Sequence, residues 1–160
     1  MDITPVSPAD LDQILAIERA GFTPAEAGSR AQYAARIDNL RADFLVARQA
    51  GQVAGFVVGP ATEEAVIADW MYEANTTSLS RGGHQMILTI AVAPNFRGQG
   101  VGSRLLAAFE DHARQKGRQS VALTCLADRI PFYEKNGYRN QGQAASTHAG
   151  ETWYNLIKPL

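Results

Sequence analysis

The sequence predicts an α/β (α+β) fold on a mixed sheet, and three observations predict it. Short apolar runs alternate with longer segments whose apolar residues recur at helical spacing. Gly, Pro and Asn separate the two kinds of segment, and strand signals occur in adjacent pairs near both ends of the chain. Along the chain this gives about seven strands and about four helices. At 160 residues the chain is expected to form one domain spanning residues 1–160.

Residues 2 to 6 read as the first strand. Ser7, Pro8 and Asp10 then form a helix start: a hydroxyl to cap free N–H groups, a ring that presets φ, and a carboxylate at the positive end of the dipole. The helix runs to about Ala20, with Leu11, Ile14, Leu15 and Ile17 near helical spacing, and a second is expected from Ala25 to Leu40. Runs 43 to 48 and 53 to 59, joined around Ala50-Gly51, predict a hairpin. Residues 60 to 83 break the pattern, with helical character expected around Glu63 to Glu73.

The apolar run "HQMILTIAVA" is too short for a helix and predicts a central strand buried on both faces. From Val101 to about Lys116, the residues Val101, Leu105, Leu106, Ala108, Phe109 and Ala113 form one helical stripe, stopped by Gly117. "SVALTC" is a further strand and "ADRIPFYEKNG" a short helix. "YRNQGQAAS" and "ETWYNLIKPL" form a closing strand pair around a turn near His148 to Gly150.

The net charge is −1, with no Lys/Arg-rich run, so no electrostatic footprint for nucleic acid or an anionic membrane is present. No basic-then-apolar leader opens the chain, and no apolar run approaches the roughly 18 residues of a membrane span. Cys125 is the only cysteine, and no Cys/His cluster has zinc-ligand spacing. A cytoplasmic protein without a metal is expected, a monomer or homodimer.

"NFRGQGVGSRLL", residues 95 to 106, leads from the central strand into the long helix. Such a turn aims backbone N–H groups at a point outside a helix N-terminus, where the dipole favours an anion. Gly98, Gly100 and Gly102 allow left-handed dihedrals and remove Cβ atoms, and Arg97 adds a positive charge. Tight packing is the alternative use of such glycines. The spacing matches neither the dinucleotide fingerprint nor the P-loop.

The wider phrase "ILTIAVAPNFRGQGVGSRLL" resembles the acyl-CoA signature of the GNAT superfamily of N-acyltransferases. The resemblance implies a mostly antiparallel central sheet and acetyl-CoA as co-substrate. It implies that Arg97, Gly98, Gln99, Gly100, Val101, Gly102 and Ser103 hold the pyrophosphate, while the backbone of Ile90, Ala91 and Val92 pairs with the pantetheine arm. "IPFYEKNGY" resembles the superfamily's later helix, whose tyrosine, here Tyr133, lies near the thioester sulfur.

"LAIERAGF", "GGH", "LTCLADRIPFYEKNGY" and the 60 to 83 insert are similar to the arylalkylamine (serotonin-type) branch, as is Leu126 where the superfamily has asparagine. That branch's animal members carry a His-x-His pair on the central strand, and Met86 and Leu88 stand at those positions. The resemblance implies transfer of an acetyl group to a primary amine of a small molecule, an arylalkylamine or a polyamine, by direct attack.

This chemistry needs an acid for the departing thiolate, an oxyanion donor and a base. Tyr133 is the candidate acid, with a packed core aromatic as the alternative. A backbone N–H near Ala91 is the candidate oxyanion donor. His84, His148 and Glu64 are candidate bases, with surface residues as the alternative; His112, in the last helical turn, suits the dipole. Glu63, Glu64, Asp69 and Glu73, opposed by Arg81 and interleaved with Trp70, Met71 and Tyr72, would suit a protonated amine with an apolar tail. Glu64, Trp70 and Tyr72 are the substrate-binding candidates, with a solvated amphipathic segment as the alternative. Cys125 is read as a buried strand residue, with a covalent acyl-cysteine as the alternative. A non-catalytic acyl-CoA-binding module and a protein N-terminal or lysine acetyltransferase are the competing functions.

Overall fold

The computed structural model describes residues 1–160, with nine strands, four α-helices and several 3-10 turns. Ser7 caps the first turn as expected: its hydroxyl accepts from Ala9 N–H, and Asp10 answers with a bond from Ser7 N–H. This turn leads β1 (Asp2–Pro5) into α1 (Leu11–Gly21). Helix α2 (Arg30–Asn39) begins five residues later than the periodicity suggests. The reason is local: Ser29 and Gln32 form a reciprocal cap, while residues before it close a separate turn through Ala27 N–H to the Thr23 carbonyl.

The hairpin forms as β2 (Phe44–Gln49) and β3 (Gln52–Val58), turning through Ala50 and Gly51, both at positive φ. The insert holds a two-residue strand β4 (Ala61–Thr62) and one 3-10 turn at Asp69–Tyr72, where a longer helical stretch was expected. It is tied down by polar contacts instead: Asn39 Nδ2 donates to the Ala74 carbonyl, Thr76 to the Trp70 carbonyl, and Ser78 to Asp43.

The expected single central strand is two strands, β5 (His84–Ile87) and β6 (Thr89–Val92), in different sheets. Leu88 N–H donates to the Val58 carbonyl at 2.8 Å, and Thr89 is also the register partner of Val58. Two residues against one is a bulge, and a bulge bends the strand. The first sheet has order β1-β2-β3-β6. The second is β4-β5-β7-β9-β8, where β7 is Ser120–Cys125, β8 Arg139–Gln143 and β9 Tyr154–Pro159. Its pairing of β5 with β7 is parallel and the other ladders are antiparallel.

Helix α3 (Val101–Gln115) packs one stripe, Val101, Leu105, Leu106, Phe109 and Ala113, onto Ala47, Ala54 and Val57 of the first sheet and Val121 and Leu123 of the second. Ala108 of the expected stripe is only half-buried; Glu110 takes a buried place, paired with Tyr138 and Lys158. The opposite face of the first sheet carries α1 and α2 through Ile14, Leu15, Tyr33, Ile37 and Phe56. Phe44, Phe56 and Phe109 are fully buried, each contributing roughly 1.5–3 kcal/mol by leaving water. The short helix α4 (Ile130–Lys135) closes the second sheet's end. No helix is long and apolar enough to cross a membrane.

Candidate active site

Strand β6 pairs with β3 on one edge, and β7 pairs with β5 and β9, so no ladder joins β6 to β7. The two sheets splay there, and the gap opens into a cleft of about 1180 Å³. Ile87 to Val92 form one wall and Leu123 to Leu126 the other.

The register sets which backbone groups face the gap. Ala93 N–H donates to the Ala54 carbonyl, and antiparallel partners alternate between bonded and non-bonded pairs. Ala91 and Thr89, opposite Phe56 and Val58, therefore turn their N–H and C=O toward β3. Ile90 and Val92 turn theirs into the cleft, and the Val92 carbonyl there accepts from Arg97 Nε at 3.3 Å. This corrects the expectation for Ala91: its own main-chain groups belong to the β3 ladder, and the free donor beside it is Ile90 N–H.

One end of the cleft is the glycine loop. Gly98 and Gly100 have φ of 75° and 79°, and a Cβ at either would meet nothing, so the dihedral alone calls for glycine. Gly102 differs from the expectation: it is helical, and its missing Cβ makes room for Phe132, whose Cζ would lie 3.1 Å away. Helix α3 has no side-chain cap, and its first intrahelical bond is Arg104 N–H to the Gly100 carbonyl. The preceding N–H groups of Val101, Gly102 and Ser103 are left for a ligand. All three residues line the cleft, as do Arg97, Gly98 and Gly100. Gln99 does not; its side chain donates to the Asn95 carbonyl.

Tyr133 lies across the gap in α4, edge-on to Phe132 and Tyr138 at 5.1 and 5.8 Å. Burial pushes its phenol well above the ordinary range, so it stays protonated. Cys125 is 4% exposed, and burial, with Asp128 adding to it, pushes its thiol up to about 12. Such a thiol is a poor nucleophile, which argues against an acyl-cysteine.

The other candidates separate. His148 lines the cleft from the loop before β9, where Trp153 Nε1 donates to its carbonyl. His84 does not: its Nδ1 lies 2.8 Å from Ser120 Oγ, outside the cleft. Glu64 and Trp70 hydrogen-bond each other at 3.1 Å on the outer face of the insert, so this pair is absent from the cleft wall. Tyr72, Asp69 and Ile67 are the insert residues that reach it. His112 is more than a match for the dipole: its Nε2 lies 2.7 Å from buried Asp43, which Arg118 and Ser78 also contact.

Two buried charged residues of the cleft were not singled out from the sequence. Glu18 is 2% exposed; its Oε2 accepts Gly28 N–H at 2.7 Å, and Oε1 has no partner. Burial pushes its carboxyl above the usual range, against the opposing Gly28 bond. A Cβ on Gly28 would lie 2.7 Å from the Tyr33 ring, so this close approach also needs glycine. Arg36 is the second, buried beside the Tyr33 ring. The available signal was position: Glu18 follows Leu11, Ile14 and Leu15 on the apolar side of α1, where a charged residue is out of place.

A cleft at splayed strands, ended by a glycine loop at a helix start, is the arrangement of an acyltransferase-like fold. The acetyltransferase (GNAT) family model matches residues 11–138, and the chain belongs to that family. Over 62 residues it is 37% identical to glucosamine 6-phosphate N-acetyltransferase of Trypanosoma brucei brucei, covering 38% of this chain and 42% of that protein. The chain spans about half the length of the curated relatives it matches. Ard1 from Thermoplasma volcanium superposes with a TM-score of 0.80 at 24% identity, over 99% of this chain and 97% of that one. GphF, a GNAT-like decarboxylase solved with isobutyryl-CoA, gives 0.85 at 18% identity, over 99% of each chain. These likenesses show the fold.

Proposed function

We propose that the protein transfers an acetyl group from acetyl-CoA to a primary amine of a small molecule by direct attack. The observation that carries this reading is the open edge of β6, running between the glycine loop and Tyr133 in a chain of the GNAT family. The N–H groups of Val101, Gly102 and Ser103, with Arg97, hold the pyrophosphate. The Ile90 carbonyl and the Val92 N–H offer the pantetheine arm hydrogen bonds along the open edge of β6. Acetyl-CoA supplies the activated acyl group.

Ile90 N–H, which faces the cleft, donates to the developing oxyanion in this reading, and a fixed donor of this kind lowers the barrier by about 3–4 kcal/mol. The Tyr133 phenol, kept protonated by burial, donates a hydrogen bond to the departing sulfur. Glu18 is the general base: it lines the cleft and holds a proton more readily than an exposed carboxylate. Direct attack is supported by the protonated state of Cys125.

The test is incubation with acetyl-CoA and a panel of arylalkylamines, polyamines, amino acids, amino sugars and a peptide with a free N-terminus, following thiol release. Acceptor-dependent release with a small amine is the expected result. Release with the peptide alone would make the protein a protein acetyltransferase, and coenzyme A binding without release would make it an acyl-CoA-binding module.

A further inference from the structure

Two arginines are buried, and the fold treats them differently. Arg118 is 5% exposed and donates to Gln85, the Gly82 carbonyl and Asp43. Arg36 is 6% exposed, yet its side chain donates no hydrogen bond within the chain and has no carboxylate at ion-pair distance. Its guanidinium lies 4.8 Å from the Tyr33 ring centre and 6.0 Å from that of Tyr72. The rings offset part of the cost of burying the cation, but a π face leaves its planar N–H donors open. None of its nitrogens is among the enclosed, unpaired atoms of the fold, so the guanidinium keeps contact with the cleft and its donors are free to meet an anion that enters.

Arg36 lines the cleft on α2, and Glu18 lines it on α1 with Oε1 unpartnered. The two are not in ion-pair contact, although the Arg36 charge acts on the Glu18 carboxyl to lower it. Asp69 and Glu26 reach the same end of the cleft and do not pair with Arg36 either. The acceptor end thus presents one open cation, with an enclosed, unpartnered carboxylate oxygen behind it.

We propose that Arg36 anchors an oxyanion on the acceptor, so that the substrate class is a primary amine bearing a carboxylate or phosphate. The inference rests on the acetyl-transfer reading above and narrows it away from plain arylalkylamines and polyamines. The guanidinium fork matches either oxyanion through two parallel hydrogen bonds. With the anion held there, the substrate's amine is directed toward Glu18. A polyamine would place further positive charge against Arg36.

Matched acceptors test this: tryptamine against tryptophan, and glucosamine against glucosamine 6-phosphate, with wild type, Arg36→Lys and Arg36→Met. The wild type is expected to prefer the anionic member of a pair by about tenfold or more in kcat/KM, the size of one good charged contact. The pair that shows it tells carboxylate from phosphate. Arg36→Met should collapse the ratio to near unity, with Arg36→Lys between. Equal or better use of both neutral members, or a preference that survives Arg36→Met, overturns the proposal. Calorimetry with the same anionic amines in the presence of coenzyme A is read independently of turnover. If no amine is acetylated, the transfer reading falls, and binding weakened about tenfold by the Arg36 variants still supports the anion site; absent or unchanged binding overturns it. Arg36→Lys carries each comparison if Arg36→Met does not fold.

Discussion

Gly102 and Phe132 touch: a Cβ on Gly102 would stand 3.1 Å from Phe132 Cζ, so the glycine loop and the tyrosine helix are packed against each other beside the cleft. Gly102→Ala forces the ring to give by a few tenths of an ångström, and Gly102→Val forces more. Coenzyme A affinity by calorimetry should fall about fivefold for alanine and further for valine, near 1 kcal/mol for the first. Phe132→Leu in the same chain should restore part of the loss.

Gly98 and Gly100 depend on conformation and not on space. Asn tolerates the left-handed region better than Ala. Gly100→Asn should therefore melt above Gly100→Ala, by an amount corresponding to roughly 0.5–1 kcal/mol. Equal melting of the two variants would remove the dihedral explanation.

Glu18→Gln should separate activity from stability. As the general base, its loss should lower kcat about 10²–10⁴-fold and abolish the acid-side limb that Glu18 contributes to the pH profile. The folded carboxyl is raised, so its stabilising contribution is complete below the unfolded value near pH 4 and is lost as pH rises through the folded value. The glutamine variant should thus melt higher than wild type at pH 7, by about 2–4 °C per kcal/mol, with the gap closing below about pH 4.

Tyr133→Phe should lower kcat about 10²-fold while leaving the KM for acetyl-CoA within a few-fold, because the phenol acts on the departing sulfur. A rise in KM alone would return Tyr133 to a packing role.

Asp10 and Arg48 form a two-bond pair at 2.6 and 2.7 Å that fastens the first turn to β2. The Arg48 hydrogen bonds hold the Asp10 carboxyl below its usual range, against a smaller effect of burial. A depressed carboxyl contributes stability above its unfolded value near 3.9 and loses it as pH falls through the folded value. Asp10→Asn should cost about 1.5–3 kcal/mol at pH 7, measured by urea unfolding, and progressively less below about pH 4.

Local chemistry made much of this protein legible in advance. Ser7, Pro8 and Asp10 start the first turn wherever they are placed, because a cap needs only residues within reach of its own N–H groups. The turn at Gly98 and Gly100 and the stripe from Val101 to Ala113 are equally local. The family signature lies in those same residues.

The acceptor end was decided by tertiary structure. A single strand was expected through Leu88, but whether a strand bends there depends on its register against Val58, thirty residues or so earlier, and no local pattern encodes that. Trp70 and Glu64 look like a binding pair by composition, yet they satisfy each other outside the cleft. Glu18 and Arg36 belong to separate helices with different caps, and only the docking of α1 and α2 on one face of the first sheet brings both to the cleft. By itself the sequence determined where the backbone can cradle an anion, since dihedrals and helix starts are properties of a few neighbouring residues. Only the tertiary structure decided which charges were left unpaired around the acceptor, since pairing depends on what every other packed element brings within reach.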